Sequence, residues 1–175
     1  MTTTRSLWPP AEGVEFVNTI AFTPRDRRNL LAILVARSDG DNYGELVLLR
    51  TPTGGMTPGP MQVDAQMEQH PSITSAGFRY PHPFYRLEAH LWLGATVFRG
   101  RTFVIPVGNT FLYVKSIYLE TAANAIPEPM FLMVAHKIDR GDGVRIALRS
   151  TFHEALDELF GMTGTGRIRN GDFSN

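Results

Sequence analysis

The stretch "TVFRGRTFVIPVGNTFLYVKSIYLE", residues 96–120, decides the fold class because a tight-turn signal joins two apolar segments within it. Residues 96–107 and 110–120 are rich in β-branched and aromatic side chains, which are typical of strands. Gly108 and Asn109 stand between them, and two residues of this type connect paired strands in a tight hairpin. The stretch therefore predicts an antiparallel strand pair.

Segments on both sides of this hairpin carry further strand signals. Residues 14–22 ("VEFVNTIAF") and 45–51 ("ELVLLRT") are rich in β-branched and apolar side chains. Residues 129–138 and 144–148 flank "DRGDG" and predict a second hairpin. Residues 61–67 ("MQVDAQM") alternate strictly between apolar and polar side chains, which predicts a half-exposed strand and not a helix.

The segment "NLLAILVAR", residues 29–37, is compatible with two structures. Thr23, Pro24 and Asp26 precede it and could cap a helix that runs through it. However, the run from 30 to 36 is short and has no polar face, which favours a buried strand. We expect the strand, with the helix as the alternative.

One helix is well marked near the C-terminus. Thr151 can cap it, and Glu154 three residues later completes a capping box. Gly161 stands at a natural C-terminal stop. The apolar residues between them recur at helical spacing and form one stripe: Phe152, Ala155, Leu156, Leu159 and Phe160. The pattern predicts a helix that packs this stripe on a sheet.

Together these signals predict an α+β fold of mostly antiparallel strands with one C-terminal helix packed on the sheet. Residues 13–161 are expected to form a single strand-rich domain. Residues 1–12 and 162–175 are expected to be tails, because they are rich in small and polar residues and contain little apolar pattern.

The composition excludes several classes of function. The 175 residues contain 17 basic and 17 acidic side chains, so no net charge attracts nucleic acid or an anionic membrane. The absence of cysteine excludes disulfides, thiolate chemistry and cysteine-ligated zinc. The N-terminal residues lack the apolar segment of a secretory signal, and no apolar run is long enough to cross a bilayer.

The loop "ARSDGDNYGEL", residues 36–46, gathers oxygen ligands at Asp39, Asp41 and Asn42. Counted from Asp39 as a calcium loop, the third and sixth positions fit, but the fifth is a tyrosine and the twelfth is Arg50, where the calcium ligand is normally glutamate. The pattern therefore favours a turn between strands. A divalent-cation-binding module remains the alternative.

The other polar residues form no motif that identifies a catalytic or metal site. The five histidines show no metal-type pair at a spacing of four: His70, His82, His90, His136 and His153. Glu154, Asp157 and Glu158 are expected on the solvated side of the helix, and the arginines of "PRDRRN", residues 24–29, are expected in a solvated turn. We therefore predict no catalytic, cofactor-binding or metal-ligating residue.

A hydrolase acting on a cell-envelope polymer remains a second alternative. It would require loops to bring together five candidate side chains: Asp39, Asp41, His82, Glu88 and His90. The aromatic segment "FRYPHPFYRLEAHLW", residues 78–92, is also unusual, because rings and arginines of this kind suit recognition surfaces. It is equally compatible with a long loop that folds back over a sheet edge.

Several stretches taken together resemble a known family: "FTPRDRRNLLAILVARSDGDNYGELVLLRTP", "GPMQVDAQMEQHPSI", "FRGRTFVIPVGNTFLYVKSIYLET", "PEPMFLMVAHK" and "TFHEALDELFG". Their order and spacing resemble the C-terminal soluble region of uncharacterised protein family one-eight-two, over residues 14–161. Members of that family are large bacterial multi-pass membrane proteins with a long soluble region outside the membrane.

The resemblance implies a structural or interaction module that packs against the membrane-spanning and remaining extracytoplasmic parts of a larger protein. It implies a location at the cell membrane, on the extracytoplasmic side, and brings no reaction, catalytic residue or cofactor. Two departures from the family pattern stand out. Residues 76–98 replace a shorter segment, and Lys115 and Ser116 stand where relatives tend to have glutamate and proline.

Overall fold

A computed structural model describes residues 15–51, 56–70, 96–108, 110–121, 124–137 and 143–161. Within these ranges the chain forms two antiparallel sheets and two helices. The α+β architecture expected from the sequence is therefore confirmed. The expected tails, residues 1–12 and 162–175, lie outside the described residues, so the domain boundaries stay a prediction.

The first sheet has three strands in the order β1-β2-β3. They are β1 (Val17–Phe22), β2 (Ala32–Arg37) and β3 (Leu46–Arg50). All three predicted strands are confirmed, and the helical alternative for residues 29–37 is wrong. The physical reason is that β2 lies between two partners that satisfy its backbone, while Ile33 and Val35 are fully buried on one face.

The second sheet contains five strands, with β5 pairing beside the main order β4-β6-β7-β8. They are β4 (Thr96–Arg99), β5 (Phe103–Val107), β6 (Thr110–Thr121), β7 (Asn124–Lys137) and β8 (Val144–Arg149). Both predicted hairpins are confirmed, because β5 pairs with β6 and β7 pairs with β8 in antiparallel register.

The predicted continuous strand over residues 96–107 is wrong in one respect, since it is interrupted between β4 and β5. Arg99 lies opposite Ile117, whereas Phe103 lies opposite Val114, so three residues face two on β6. This is a bulge, an extra residue that bends a strand and redirects its side chains. The Gly100 N–H still donates to the Ser116 carbonyl at 2.8 Å.

The predicted strand over residues 61–67 is wrong, because this segment belongs to helix α1 (Pro60–Glu68). Pro60 occupies the first helical position, and the Gln62 side chain accepts a hydrogen bond from the Gly59 N–H at 3.0 Å. Only Val63 and Met67, four residues apart, are buried. Met61 is 75% exposed, so the apparent alternation did not mark one buried face.

The predicted C-terminal helix is confirmed as α2 (Phe152–Phe160). Thr151 Oγ1 accepts from the Glu154 N–H, and the Glu154 carboxylate accepts from the Thr151 N–H, both at 3.3 Å. Gly161 ends the helix with φ of 67°, a left-handed conformation that glycine adopts without strain. Its buried residues pack on one face of the second sheet: Ala155, Leu156 and Leu159 against Leu112, Val134 and Ala147.

The main core lies between the two sheets and includes α1. It contains Ile33 and Val35 from the first sheet and Val63 and Met67 from the helix. Leu30 and Leu49 add to the first-sheet side, and the second sheet contributes most of the rest, including Val104, Phe111, Tyr113, Ile117, Leu119, Phe131 and Met133. Neither helix in the described part of the chain has the length and apolar character needed to cross a bilayer.

Candidate functional site

Lys115 occupies a core position of β6. Side chains alternate between the two faces of a strand, so Lys115 shares its face with Tyr113 and Ile117, which are fully buried. Its own side chain is only 5% exposed. A charged group removed from water is costly unless it is paired, so the surroundings of Lys115 must supply opposite charge.

Helix α1 supplies that charge. The Lys115 ammonium lies 2.9 Å from Asp64 Oδ1 and 2.5 Å from Glu68 Oε1. Asp64 and Glu68 are four positions apart, which places them on the same side of the helix. Lys115, on the buried face of β6, therefore contacts both carboxylates on one side of α1.

The bulge between β4 and β5 completes this arrangement, which we call the Lys115 cluster: Asp64, Glu68, Arg99, Thr102 and Lys115. The Thr102 hydroxyl donates to Asp64 Oδ1 at 2.6 Å. Arg99 Nε lies 3.4 Å from Glu68 Oε2. Because β4 ends at Arg99 and β5 begins after Thr102, the extra residue of the bulge allows both side chains to face α1.

The pKa shifts of Lys115 and Asp64 favour the charged forms of both groups. Burial lowers the pKa of Lys115, but its hydrogen bonds to Glu68 and Asp64 outweigh that effect and raise the pKa above the ordinary lysine value. Burial raises the pKa of Asp64, but hydrogen bonds from Thr102 and Lys115 hold it below the ordinary value. A protonated amine has no lone pair for nucleophilic or base chemistry, so this arrangement suits an ionic connection between α1 and the sheet.

Tyr113 makes a second connection to the same helix. Its fully buried hydroxyl donates to the Pro58 carbonyl, just before α1 begins, and burial raises the pKa of the phenol above its ordinary value. The segment around Pro58 also reaches the first sheet, because the Leu30 N–H donates to the Thr57 carbonyl at 2.8 Å. Helix α1 and its leading segment thus link the two sheets.

A second feature is the outer face of the first sheet. The register aligns Ile20 with Leu34 and Leu48 across the three strands. Most side chains on this face are apolar, and we call the following set the apolar face: Ile20, Phe22, Leu34, Ala36, Leu46 and Leu48. The same face also carries the buried Ala32 and, at its two ends, the polar Asn18 and Arg50. Leu46 is 64% exposed, Ile20 is 59% exposed and Leu48 is 50% exposed. Large apolar side chains grouped on one sheet face in this way mark a surface that another element can cover.

Oppositely charged loops border the two ends of the apolar face. The loop between β1 and β2 contributes the exposed Arg25, Arg27 and Arg28. Arg50 stands at the same end, on the same face as Phe22, so we call this the arginine end. Asp26 is its acidic exception.

The loop between β2 and β3 borders the other end, which we call the acidic end. It carries the exposed Asp39, Asp41 and Glu45. Arg37 is the basic exception, and it is already bound by Glu15 at 2.7 Å and by Glu45 at 2.9 Å.

The loop predicted as a turn at Asp39 and Asp41 is confirmed as a connection between antiparallel strands. Residues 40–42 form one 3-10 turn, and Asp39 Oδ1 accepts from the Gly40 N–H at 2.9 Å. Gly40 and Gly44 adopt positive φ values of 55° and 88°. No three His, Asp or Glu side chains gather closely enough to hold a metal ion anywhere in the described ranges.

The remaining candidates are dispersed or lie outside the described residues. His136 is 3.1 Å from Thr110 Oγ1 and sets its ring edge against Phe160, while His153 lies 3.5 Å from Asp157. Among the residues singled out from the sequence as site candidates, the following lie outside the described ranges: His82, Glu88, His90 and the whole aromatic segment 78–92. The hydrolase alternative therefore stays a prediction, and Asp39 and Asp41 contribute to it only two exposed carboxylates in a turn.

Sequence reasoning missed the Lys115 cluster. The strand predicted over residues 61–67 placed Asp64 on a solvated face, and not beside Lys115. A signal was present, since Lys115 interrupts a row of apolar residues at every second position of a strand, from Phe111 to Leu119. Such a lysine predicts a carboxylate partner from elsewhere in the chain.

Comparison with known proteins identifies relatives of the chain. The model of an uncharacterised protein family, UPF0182, matches residues 5–78. The chain is 37% identical over 162 residues to a UPF0182 protein of Desulfitobacterium hafniense (strain Y51), covering 88% of the chain and 15% of that relative. It is 35% identical to one of Sulfurovum sp. (strain NBC37-1), covering 93% of the chain and 16% of the relative. No solved structure is significantly similar to the chain.

Proposed function

The chain belongs to the uncharacterised protein family UPF0182, and we propose that it is a structural or interaction module that packs against other parts of a larger protein. The chain spans about 15% of the length of the curated relatives it matches. Most of a family member therefore lies outside the segment that this chain represents.

The observation that carries the proposal is the apolar face of the first sheet. Burying a large apolar side chain is favourable by about 1.5–3 kcal/mol. The face keeps four such side chains exposed, namely Ile20, Phe22, Leu46 and Leu48. An element from the rest of a longer protein would gain this free energy by covering them.

The outer strand β1 of the first sheet supports the same proposal. Natural sheets protect their edges with charges, prolines or bulges, because an open edge can pair with another chain. Strand β1 contains neither a charged residue nor a proline. A covering partner would remove the need for such protection.

The proposed setting is the extracytoplasmic side of the cell membrane, within a bacterial multi-pass membrane protein. This part of the proposal rests on the resemblance of the quoted stretches to that family. In this setting the membrane-spanning segments belong to the remaining length of the protein, and the module contributes a surface for assembly. No reaction is assigned to it.

An apolar fluorescent dye tests the proposal on the purified 175-residue chain. We expect dye fluorescence, and we expect the double variant Leu46→Ser/Leu48→Ser to lower it, since two of the four large exposed side chains of the apolar face are removed. Met61→Ser is the matched control, because Met61 is exposed on α1 and not on this face. A monomeric wild-type chain that binds no dye would contradict the proposal.

A further inference from the structure

We propose that the apolar face is covered by a segment of the longer UPF0182 chain that carries acidic groups at the arginine end and basic groups at the acidic end. This inference rests on the proposed function and adds the chemistry and orientation of the partner. Its basis is the charge on the two loops that border the face, together with the area of the face.

The border charges are available to a partner. Within the described residues, Arg25, Arg27 and Arg28 form no ion pair with an acidic side chain, and Asp39 and Asp41 form none with a basic one. By contrast, all four ionic side chains of the Lys115 cluster are paired. Charges at the rim of an apolar contact select the partner and its orientation more than they add affinity.

The sign of the charge differs between the ends. A partner with the complementary pattern docks in one direction along the strands and is repelled in the reverse direction, because like charges then meet at both ends. The pattern therefore encodes orientation as well as position.

The area of the face indicates a tethered partner. Three strands about 4.8 Å apart and about six residues long present roughly 300 Å². Two molecules joined through such faces would bury roughly 600 Å² together, whereas stable interfaces between free molecules bury about 1,200–2,000 Å². A segment of the same chain avoids most of the entropy cost of association, so a small contact suffices.

A second copy of this chain is the competing occupant. Two copies related by a twofold axis perpendicular to the strands would also place each arginine end on the other acidic end. The small area argues against that arrangement as a stable dimer. Sedimentation of the purified chain separates the two occupants.

The test titrates the labelled 175-residue chain with the Desulfitobacterium hafniense relative produced without its matching 162-residue segment. Fluorescence anisotropy reports binding. We expect the wild-type chain to bind, Leu46→Ser/Leu48→Ser to lose binding, and Arg25→Glu/Arg27→Glu to bind about tenfold more weakly at low salt. We expect the charge effect to shrink toward 1 M salt, where the Debye length falls to about 3 Å.

The control for charge is Lys137→Glu/Arg145→Glu, which makes the same change of charge on the second sheet and should bind within about twofold of wild type. All altered side chains of the first-sheet variants are exposed. Measuring the melting temperature of each variant checks that it folds. Equal weakening by this control would show that only net charge matters and would overturn the proposed orientation.

The remaining outcomes separate the inference from the proposed function. Suppose that Leu46→Ser/Leu48→Ser (the serine variant) loses binding and Arg25→Glu/Arg27→Glu binds like wild type. The proposed charge pattern is then wrong, and the proposal of an interaction module is retained. If wild type fails to bind, or the serine variant binds equally well, both proposals are overturned. A wild-type dimer at about 10 µM that the serine variant abolishes would make a second copy the occupant instead.

Discussion

The two sheets of the described chain differ in how their faces are covered. The second sheet packs one face into the main core and part of the other against α2, while Phe103 and Ile105 on β5 stay 59% and 39% exposed. The first sheet packs one face into the same core, while Ile20 and Leu46 on the other face stay exposed. Both sheets are built from similar β-branched and apolar residues. The difference therefore lies in the availability of a covering element and not in strand composition.

The edges of the two sheets differ in the residues that protect them from pairing with another chain. In the second sheet, the outer strand β8 carries Arg145 and Arg149, and β5 contains Pro106, all of which discourage pairing with another chain. In the first sheet, β1 carries no such residue. Two outer strands of the second sheet therefore carry residues that discourage pairing, whereas β1 has the features of an edge that is open to a partner.

The largest expected effect compares a leucine of α2 that packs on the second sheet with a leucine on the outer face of the first sheet. Leu159→Ala removes a buried side chain from the contact between α2 and the second sheet, and we expect the free energy of unfolding to fall by about 2–4 kcal/mol. Leu48→Ala on the first sheet should change it by no more than about 0.5 kcal/mol, because Leu48 is exposed. Urea unfolding measures both. A loss at Leu48 as large as at Leu159 would break the comparison.

The Lys115 cluster gives the next effect. The double variant Asp64→Ala/Glu68→Ala leaves a lysine buried without partners, which we expect to lower the free energy of unfolding by about 2–3 kcal/mol. This is less than a fully buried pair would lose, since both carboxylates are partly exposed. Adding Lys115→Met should restore most of the loss in urea unfolding. If the triple variant stays as unstable as the double variant, the carboxylates stabilise α1 independently of Lys115.

The capping box of α2 gives a smaller effect. Thr151→Ala removes the side-chain acceptor for the Glu154 N–H, and we expect the free energy of unfolding to fall by about 1 kcal/mol. Thr151→Ser is the matched control, because serine keeps the hydroxyl. Equal loss in both variants would assign the effect to packing of the threonine methyl group.

The smallest expected effect is the pH dependence of the Lys115 cluster. The pKa of Asp64 is lowered in the folded chain, so its stabilisation is present above the ordinary aspartate pKa and is lost as pH falls through the folded value. The pKa of Lys115 is raised, so its stabilisation is present below the ordinary lysine pKa and is lost as pH rises through the folded value. Urea unfolding at several pH values should show a flatter acid limb for Asp64→Asn. An unchanged acid limb would remove Asp64 from the pH response.

Local signals were sufficient for most elements. The Gly108-Asn109 turn and the β-branched runs located the strands and hairpins, and Thr151, Glu154 and Gly161 located both ends of α2. The bulge between β4 and β5 could not be predicted in the same way. It depends on which residues of β6 lie opposite, and that pairing is not written in residues 96–107 themselves.

The candidate site was less predictable than the fold. The apolar face follows from strand alternation once the strands are known, but the alternation does not say which face of the first sheet the core covers. The Lys115 cluster depended on recognising α1, and the alternation of residues 61–67 indicated a strand. The decisive contacts for that helix are distant, at Lys115 and in the core between the sheets.

The sequence by itself determined the strands, their tight turns and the C-terminal helix, because each arises from interactions among residues close along the chain. Only the tertiary structure decided that residues 60–68 are helical, that Lys115 is buried between Asp64 and Glu68, and that one face of the first sheet keeps large apolar side chains exposed. These outcomes depend on residues about fifty positions apart, such as Lys115 and Asp64, whose separation is 51. Their free energy comes from removing apolar surface and charge from water together, and only the assembled fold fixes which groups share that environment.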